Sequence, residues 1–260
     1  MTEGVNMKNL AFLKNHKPHD VILKGNNFCC MAVGYYPVEE LEKILPKGMS
    51  IPSAAVMNEK YPTVKKIKGM HPFLLNFQKC DNVHDVMTEW ELRSYREHIF
   101  FIPVIYTHEQ EEQLCSYVPV LYLEFLLGVI GGLYVSLRKQ FRPGMKVEET
   151  DTSKSYHIKG VLDVNFQHNA TDSNQELDPF FLQIFENPTV TVSYLGQTKF
   201  YTTKIYPKRV FDTSHTYEWN YKGSVIKNNE NTFANCTELG FTTSHAMRYK
   251  AYFHPTYALE

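Results

Sequence analysis

Apolar positions along this chain fall mostly in short blocks or alternating runs, the spacing of strands rather than of helices. Residues 21–36, VILKGNNFCCMAVGYY, predict two strands separated by the turn signal Lys24-Gly25-Asn26-Asn27. One segment has clear helical spacing. In PVEELEKILPKG the apolar residues Val38, Leu41, Ile44 and Leu45 recur three and four apart. Pro37 suits the first turn, Glu39 and Glu40 lie at the positive end of the macrodipole, and Pro46 with Gly48 stops the helix. Residues 49–70 are polar and basic, and predict an irregular excursion whose lysines (Lys60, Lys65, Lys66, Lys68) face solvent. Strands are expected at His71–Phe77 (HPFLLNF), at Ile99–Tyr106 (IFFIPVIY, the strongest buried strand) and at Tyr117–Leu123, with an acidic turn at His108–Glu112. Further on, YHIKGVLDVNF has strand alternation, and residues 167–179 form a loop. Thr189–Tyr194 and Lys199–Tyr206 make a hairpin about Gly196. Lys227–Asn235 is a polar loop, and Thr242–Phe253 is the closing strand. No repeat or linker divides the chain. The pattern predicts an arm over residues 1–20 and a single α+β, mainly antiparallel domain over 21–260.

Composition sharpens this picture in one respect. The chain has 260 residues with Phe 17 and Tyr 17 but Trp 2, an aromatic excess that favours strands over helical bundles. A net charge of -1 offers no bulk attraction for nucleic acid or an anionic membrane, so neither is expected as a partner. The apolar run Val118–Leu137 is about the length of a bilayer span, roughly 20 residues. It contains Pro119, Glu124 and three glycines, however, and predicts a buried core segment instead. Five scattered cysteines without a CxxC pair, and an N-terminus without an apolar h-region, predict reduced thiols in the cytoplasm. The 11 histidines fall in no HExxH or zinc spacing, so no metal is expected. The absence of GxSxG, Walker and GxGxxG patterns leaves no motif for a nucleotide cofactor, and no cofactor is expected.

What remains is a charged knot among apolar strands. Tyr95-Arg96-Glu97-His98 directly precedes IFFIPVIY, Glu124 sits within the apolar run, and Arg138 with Lys139 closes it. A carboxylate beside apolar strands is held toward its neutral form and suits acid–base work. The alternative is that Glu97 simply pairs with Arg96 or Arg93 at a strand entrance.

These residues carry a resemblance to a known family. YREHIFFIPV resembles the acetoacetate decarboxylase pattern of Tyr, any residue, Glu, a short spacer and Ile-Pro-Val, matched here by Tyr95, Glu97, Ile102, Pro103 and Val104. Upstream, FCCMAVGYYPVEELEKILPKGMSI resembles the family's strand, Pro-terminated helix and second strand. Downstream, VLYLEF and GGLYVSLRKQFRPGMKV resemble its Tyr-Leu-Asp segment, glycine turn and lysine-bearing loop.

The resemblance implies a cone-shaped barrel with few short helices, a homo-oligomer, and a small-molecule substrate. It also implies that a lysine forms a Schiff base with a keto acid or ketone, leading to decarboxylation or to aldol or dehydration chemistry. Acetoacetate decarboxylase is itself the established example of a lysine activated by burial and a neighbouring cation. Carried over residue by residue, Glu97 matches one family glutamate, while the second falls near Leu74. The carboxylate-binding arginine falls at about Asn27, and the glycine–arginine–glutamate becomes Gly132-Leu133-Tyr134. The lysine pair falls on Gln140-Phe141, and a shift of one residue brings Lys139 to the nucleophile position with Arg138 beside it. The catalytic expectation is therefore Lys139, Glu97 and Arg138, with Tyr95, His98, Tyr134 and Phe101 lining the substrate site. The alternative is a superfamily member without the Schiff-base lysine that binds or transforms a hydrophobic small molecule non-covalently.

Overall fold

The structure, a computed structural model, describes residues 21–85, 90–92, 94–108, 110–134, 139–150, 153–159, 162–172, 179–187, 189–192, 200–203, 210–221, 238–253 and 255–258. The expected arm over 1–20, the Gly196 turn and the loop Lys227–Asn235 lie outside them.

Strand β1 (Val21–Pro37) leads into helix α1 (Val38–Ile44), then β2 (Met49–Ser50), α2 (Ala54–Lys60), β3 (Met70–Asp85), β4 (Trp90–Leu92), β5 (Tyr95–His108), β6 (Glu111–Tyr117) and β7 (Leu121–Leu123). Helix α3 (Leu126–Tyr134) precedes β8 (Lys139–Phe141), β9 (Lys146–Glu149), β10 (Ser153–Ile158) and β11 (Leu162–Asp172). Helix α4 (Pro179–Glu186) precedes β12 (Thr189–Val192), β13 (Phe200–Thr203), β14 (Val210–Tyr221), β15 (Glu238–Phe253) and β16 (Pro255–Ala258). The strands join in one sheet whose main path is β16-β13-β12-β6-β5-β3-β1-β15-β14-β11-β10-β9. Among the described residues, β12 pairs parallel with β6 and β8 with β7, and the other pairings are antiparallel.

Several local expectations change when strands find partners. The Lys24–Asn27 signal does not turn the chain. β1 runs through it, paired with β15 on one side and β3 on the other, and the polar residues are accommodated by a register shift between Lys24 and Asn26. Two flanking strands satisfy the backbone on both sides, which outweighs a local turn preference. YHIKGVLDVNF is not one strand but the two arms of the β10–β11 hairpin, with Ile158 opposite Leu162. β11 also continues into the expected loop, to Asp172. Within the supposed irregular stretch, Ser53 caps α2, its hydroxyl accepting from the Val56 amide at 3.4 Å. Helix α1 lies where its spacing places it and buries Leu41.

β5 is the central organiser of the fold. Tyr95–Phe101 pairs with β3, and Ile102–His108 pairs with β6. Ile102 faces Tyr117 and Ile99 faces Leu121, so three steps along β5 match four from β6 into β7. The extra residue is absorbed at Val118–Val120, where proline lacks a ladder donor. There Val118 turns to β12, its amide donating to Val190 O at 2.8 Å and its carbonyl accepting from Thr191 Oγ1 at 3.0 Å. Among the described residues, no helix is long and apolar enough to cross a membrane.

A buried lysine and carboxyl on one sheet face

Alternation along β5 sends successive side chains to opposite faces. Tyr95, Ile99 and Phe101 pack with Met31, Leu74, Cys80, Leu121, Leu123 and the α4 residues Phe180, Phe181 and Ile184. Glu97 lies between Tyr95 and Ile99 in the same odd-numbered series, and is 9% exposed. Phe100 and Ile102 pack on the other side with Leu75, Phe77 and Tyr122.

Lys139 reaches the Glu97 face because of how the chain returns after α3. β8 lies parallel to β7 with Lys139 in register with Leu121, which is in register with Ile99. Residues in register share a face, so Lys139 points to the side of Ile99 and Glu97. The Arg142 amide donating to Leu123 O at 2.7 Å holds the end of this return. The entrance to β5 is fixed independently. Glu124 accepts from the Arg96 amide at 2.8 Å and from its guanidinium at 3.3 Å, and the Glu124 amide donates to Arg96 O at 3.2 Å. Arg96 is thus committed to Glu124 and is not the partner of Glu97, while Arg93, the other expected partner, lies outside the described residues.

The electrostatics follow from burial. Desolvation pushes the Glu97 carboxyl up to about 7, opposed by the nearby Lys139 charge and by a hydrogen bond from the Cys80 thiol. Desolvation lowers the Lys139 pKa, opposed by Glu97 and Cys80. Lys139 keeps part of its surface open to solvent. A lysine held toward its free-base form next to a carboxyl held toward its acid form can carry out nucleophilic attack and proton transfer near neutral pH.

The other predicted residues divide between the two faces. Tyr95 stacks on Phe125 with ring centroids 5.9 Å apart, and Phe101 meets Phe185 edge-on at 5.4 Å; both share the Glu97 face. His98 lies on the opposite face, stacked on Phe77 at 4.1 Å, with its Nδ1–H donating to Asn76 O at 3.0 Å. Tyr134 is the last residue of α3. Arg138 falls outside the described residues. Leu74, where the family's second glutamate fell, is buried opposite Phe101.

Three polar residues on the Glu97 face were not anticipated. Gln78 is opposite Glu97, and Cys80 and Asn76 occupy the flanking positions of β3. Asn76 Nδ2 donates to Gln78 Oε1 at 3.1 Å. Their sequence signal was the period-2 series 74, 76, 78, 80 in LLNFQKC, which alternates with the apolar series Phe73, Leu75, Phe77. Among the described residues, no group of three or more His, Cys, Asp or Glu side chains could hold a metal ion.

No protein-family model matches the sequence, and no curated protein matches it significantly. Solved structures do. A structure of acetoacetate decarboxylase superposes with a TM-score of 0.63 at 12% identity, covering 92% of this chain and 90% of that one. This is the acetoacetate decarboxylase-like fold. Acetoacetate decarboxylase from Legionella pneumophila has the same fold with a TM-score of 0.60 at 10% identity, covering 93% of this chain and 87% of that one. The enduracididine biosynthesis enzyme MppR gives 0.59 at 10% identity, covering 92% and 88%. The mainly antiparallel sheet with few short helices expected from the sequence is the architecture found, and it is the one these neighbours share.

The Glu97 carboxyl carries a consequence for stability. Its pKa is raised from 4.5 to about 7 on folding, so the native state holds a proton that the unfolded chain releases. Its contribution to stability is full below pH 4.5 and is lost as pH rises through about 7, a difference of about 3 kcal/mol. Glu97→Gln is therefore expected to have a higher urea midpoint than wild type at pH 8 and an equal one at pH 4.5. A constant offset between the two proteins at both pH values would refute this assignment.

Proposed function

We propose that the protein is an enzyme acting on a small keto acid or ketone through a Schiff base on Lys139. The observation that carries this reading is that Lys139 and Glu97 share one face of the sheet, with the carboxyl buried and the lysine half-buried beside it. The Lys139 amine attacks the carbonyl carbon, its lone pair forming the C–N bond while the carbonyl oxygen takes protons and leaves as water. The resulting iminium draws electrons from the adjacent carbon, so that either carbon dioxide or an α-proton can leave, and Glu97 supplies or accepts the proton. Arg138, next to Lys139 in the chain, is assigned the part of a nearby cation that disfavours the ammonium form. Tyr95 and Phe101 wall the apolar side of the site, and Tyr134 is retained as a lining residue from the sequence resemblance.

One fold neighbour supports carbonyl chemistry. MppR has been solved with pyruvate, and with the condensation product of pyruvate and imidazole 4-carboxaldehyde. The test is reductive trapping. Incubation with pyruvate, acetoacetate or acetone plus borohydride is expected to add the reduced ligand to the intact mass, with the modification on the peptide containing Lys139. No adduct with any carbonyl compound would overturn the covalent mechanism and leave the reading in which the pocket binds a hydrophobic small molecule non-covalently.

The same reading includes a cytoplasmic homo-oligomer. Leu126 and Ile130, one helical turn apart on α3, are 51% and 40% exposed, an apolar stripe suited to a second subunit. Light scattering is expected to give a multiple of 30.3 kDa. A monomer at all concentrations would contradict it.

A further inference from the structure

The Glu97 face contains a buried acceptor that the proposed chemistry does not use. Asn76 is 1% exposed, and its Oδ1 has no hydrogen-bond partner. A buried carbonyl oxygen left without a donor is costly, so such an atom in a native protein calls for a role. Asn76 is in register with Ile99, so it is the diagonal neighbour of Glu97 across the β3–β5 pair, with Cα atoms about 7–8 Å apart. Exchanging the ends of the Asn76 amide alone would set its oxygen against Gln78 Oε1, to which Nδ2 donates at 3.1 Å. The orientation is also supported from behind, since the Asn76 main-chain carbonyl is held by His98 Nδ1–H at 3.0 Å.

An unmet acceptor discriminates between classes of carbonyl compound. A carboxylate offers only acceptors, and would meet Asn76 Oδ1 with repulsion. A simple ketone also lacks a donor, and would leave the oxygen unsatisfied. A ligand with a hydroxyl or N–H near its carbonyl supplies the missing bond. Sites built to hydrogen-bond a substrate donor reject analogues that lack it far more strongly than apolar pockets reject a change in size.

We infer that Asn76 selects a neutral carbonyl substrate bearing a hydrogen-bond donor near the carbonyl, of the hydroxyketone class, whose donor binds Asn76 Oδ1. This rests on the proposed function for the location of the substrate but not for the selectivity. It also separates this site from one that clamps a substrate carboxylate with an arginine.

The experiment compares hydroxyacetone, butanone and pyruvate on the full-length protein in two ways. Borohydride trapping reads adduct yield in wild type and Asn76→Leu. Ligand-observed NMR reads non-covalent affinity in Lys139→Met, alone and combined with Asn76→Leu. Hydroxyacetone is expected to be favoured at least 10-fold over the other two in both assays. Asn76→Leu is expected to reduce that preference below 2-fold while still giving a butanone adduct. Adducts without hydroxyacetone preference, or a preference that survives Asn76→Leu, would overturn the inference while leaving the Schiff base intact. Hydroxyl-selective binding to Lys139→Met without any wild-type adduct would overturn the Schiff base and retain the inference. Neither adduct nor selective binding would overturn both.

Discussion

Lys139→Met is expected to abolish carbonyl trapping and to lower turnover of any Schiff-base substrate by about 10³-fold or more. Methionine fills nearly the same volume as the lysine stem and removes the amine, so the face around Ile99, Leu121 and Glu97 keeps its packing. Lys139→Arg is expected to fail equally, because a guanidinium does not release its proton near neutral pH and cannot attack a carbonyl. A second readout separates loss of the nucleophile from loss of structure. The Lys139 charge is one of the influences that lower the Glu97 pKa, so Glu97 should titrate higher in Lys139→Met than in wild type. Carboxyl-region infrared difference spectra across pH 5–9 would report this shift. Full trapping in Lys139→Met, or an unmoved Glu97, would remove Lys139 from the role assigned to it.

Acid unfolding driven by two buried histidines is the second large effect. His71 is buried on β3, its Nε2–H donating to Pro103 O at 2.8 Å, and burial pushes its pKa down to about 4. His98, on the opposite face from Glu97, is pushed down to about 3 by burial. Both start from 6.5 in the unfolded chain, which therefore binds protons that the native state refuses. Their contribution to stability is complete above pH 6.5 and is lost as pH falls, through about 4 for His71 and about 3 for His98. The differences amount to about 3 and about 5 kcal/mol, comparable with the whole margin of a typical domain, about 5–15 kcal/mol. Glu97 works the other way between pH 7 and 4.5, offsetting one histidine, so wild type should lose stability slowly at first and more steeply near pH 4.5. His98→Phe, which keeps a ring against Phe77, should flatten the decline, and Glu97→Gln should make it steep from about pH 6.5. Urea midpoints at pH 7, 5.5, 4.5 and 4 test all three. A midpoint unchanged between pH 7 and 4 in wild type would show that the histidines carry no such linkage.

The two histidines also illustrate how far sequence reading extends at this site. His98 adjoins Glu97 in the chain, but strand alternation sends neighbours to opposite faces, and the stack on Phe77 places it away from the carboxyl. Its place near the site is indirect, through the main chain of Asn76. Asn76, Gln78 and Cys80 were legible as polar members of one alternating series. Alternation alone, however, does not say which of two buried faces holds the carboxyl.

The sequence by itself determined the strand-rich class, helix α1, the strand IFFIPVIY and the antiparallel pair β12–β13. These depend on short-range periodicity and on a local pattern, both of which survive without partners. Only the tertiary structure decided that β1 runs unbroken through its turn signal, that Arg96 is committed to Glu124, and that β8 lies parallel beside β7. The last of these matters most, because Lys139 and Glu97 are separated by the whole of β6, β7 and α3. Their shared face depends on a register between strands distant in the chain, and a one-residue slip of β8 would turn the lysine to the other side.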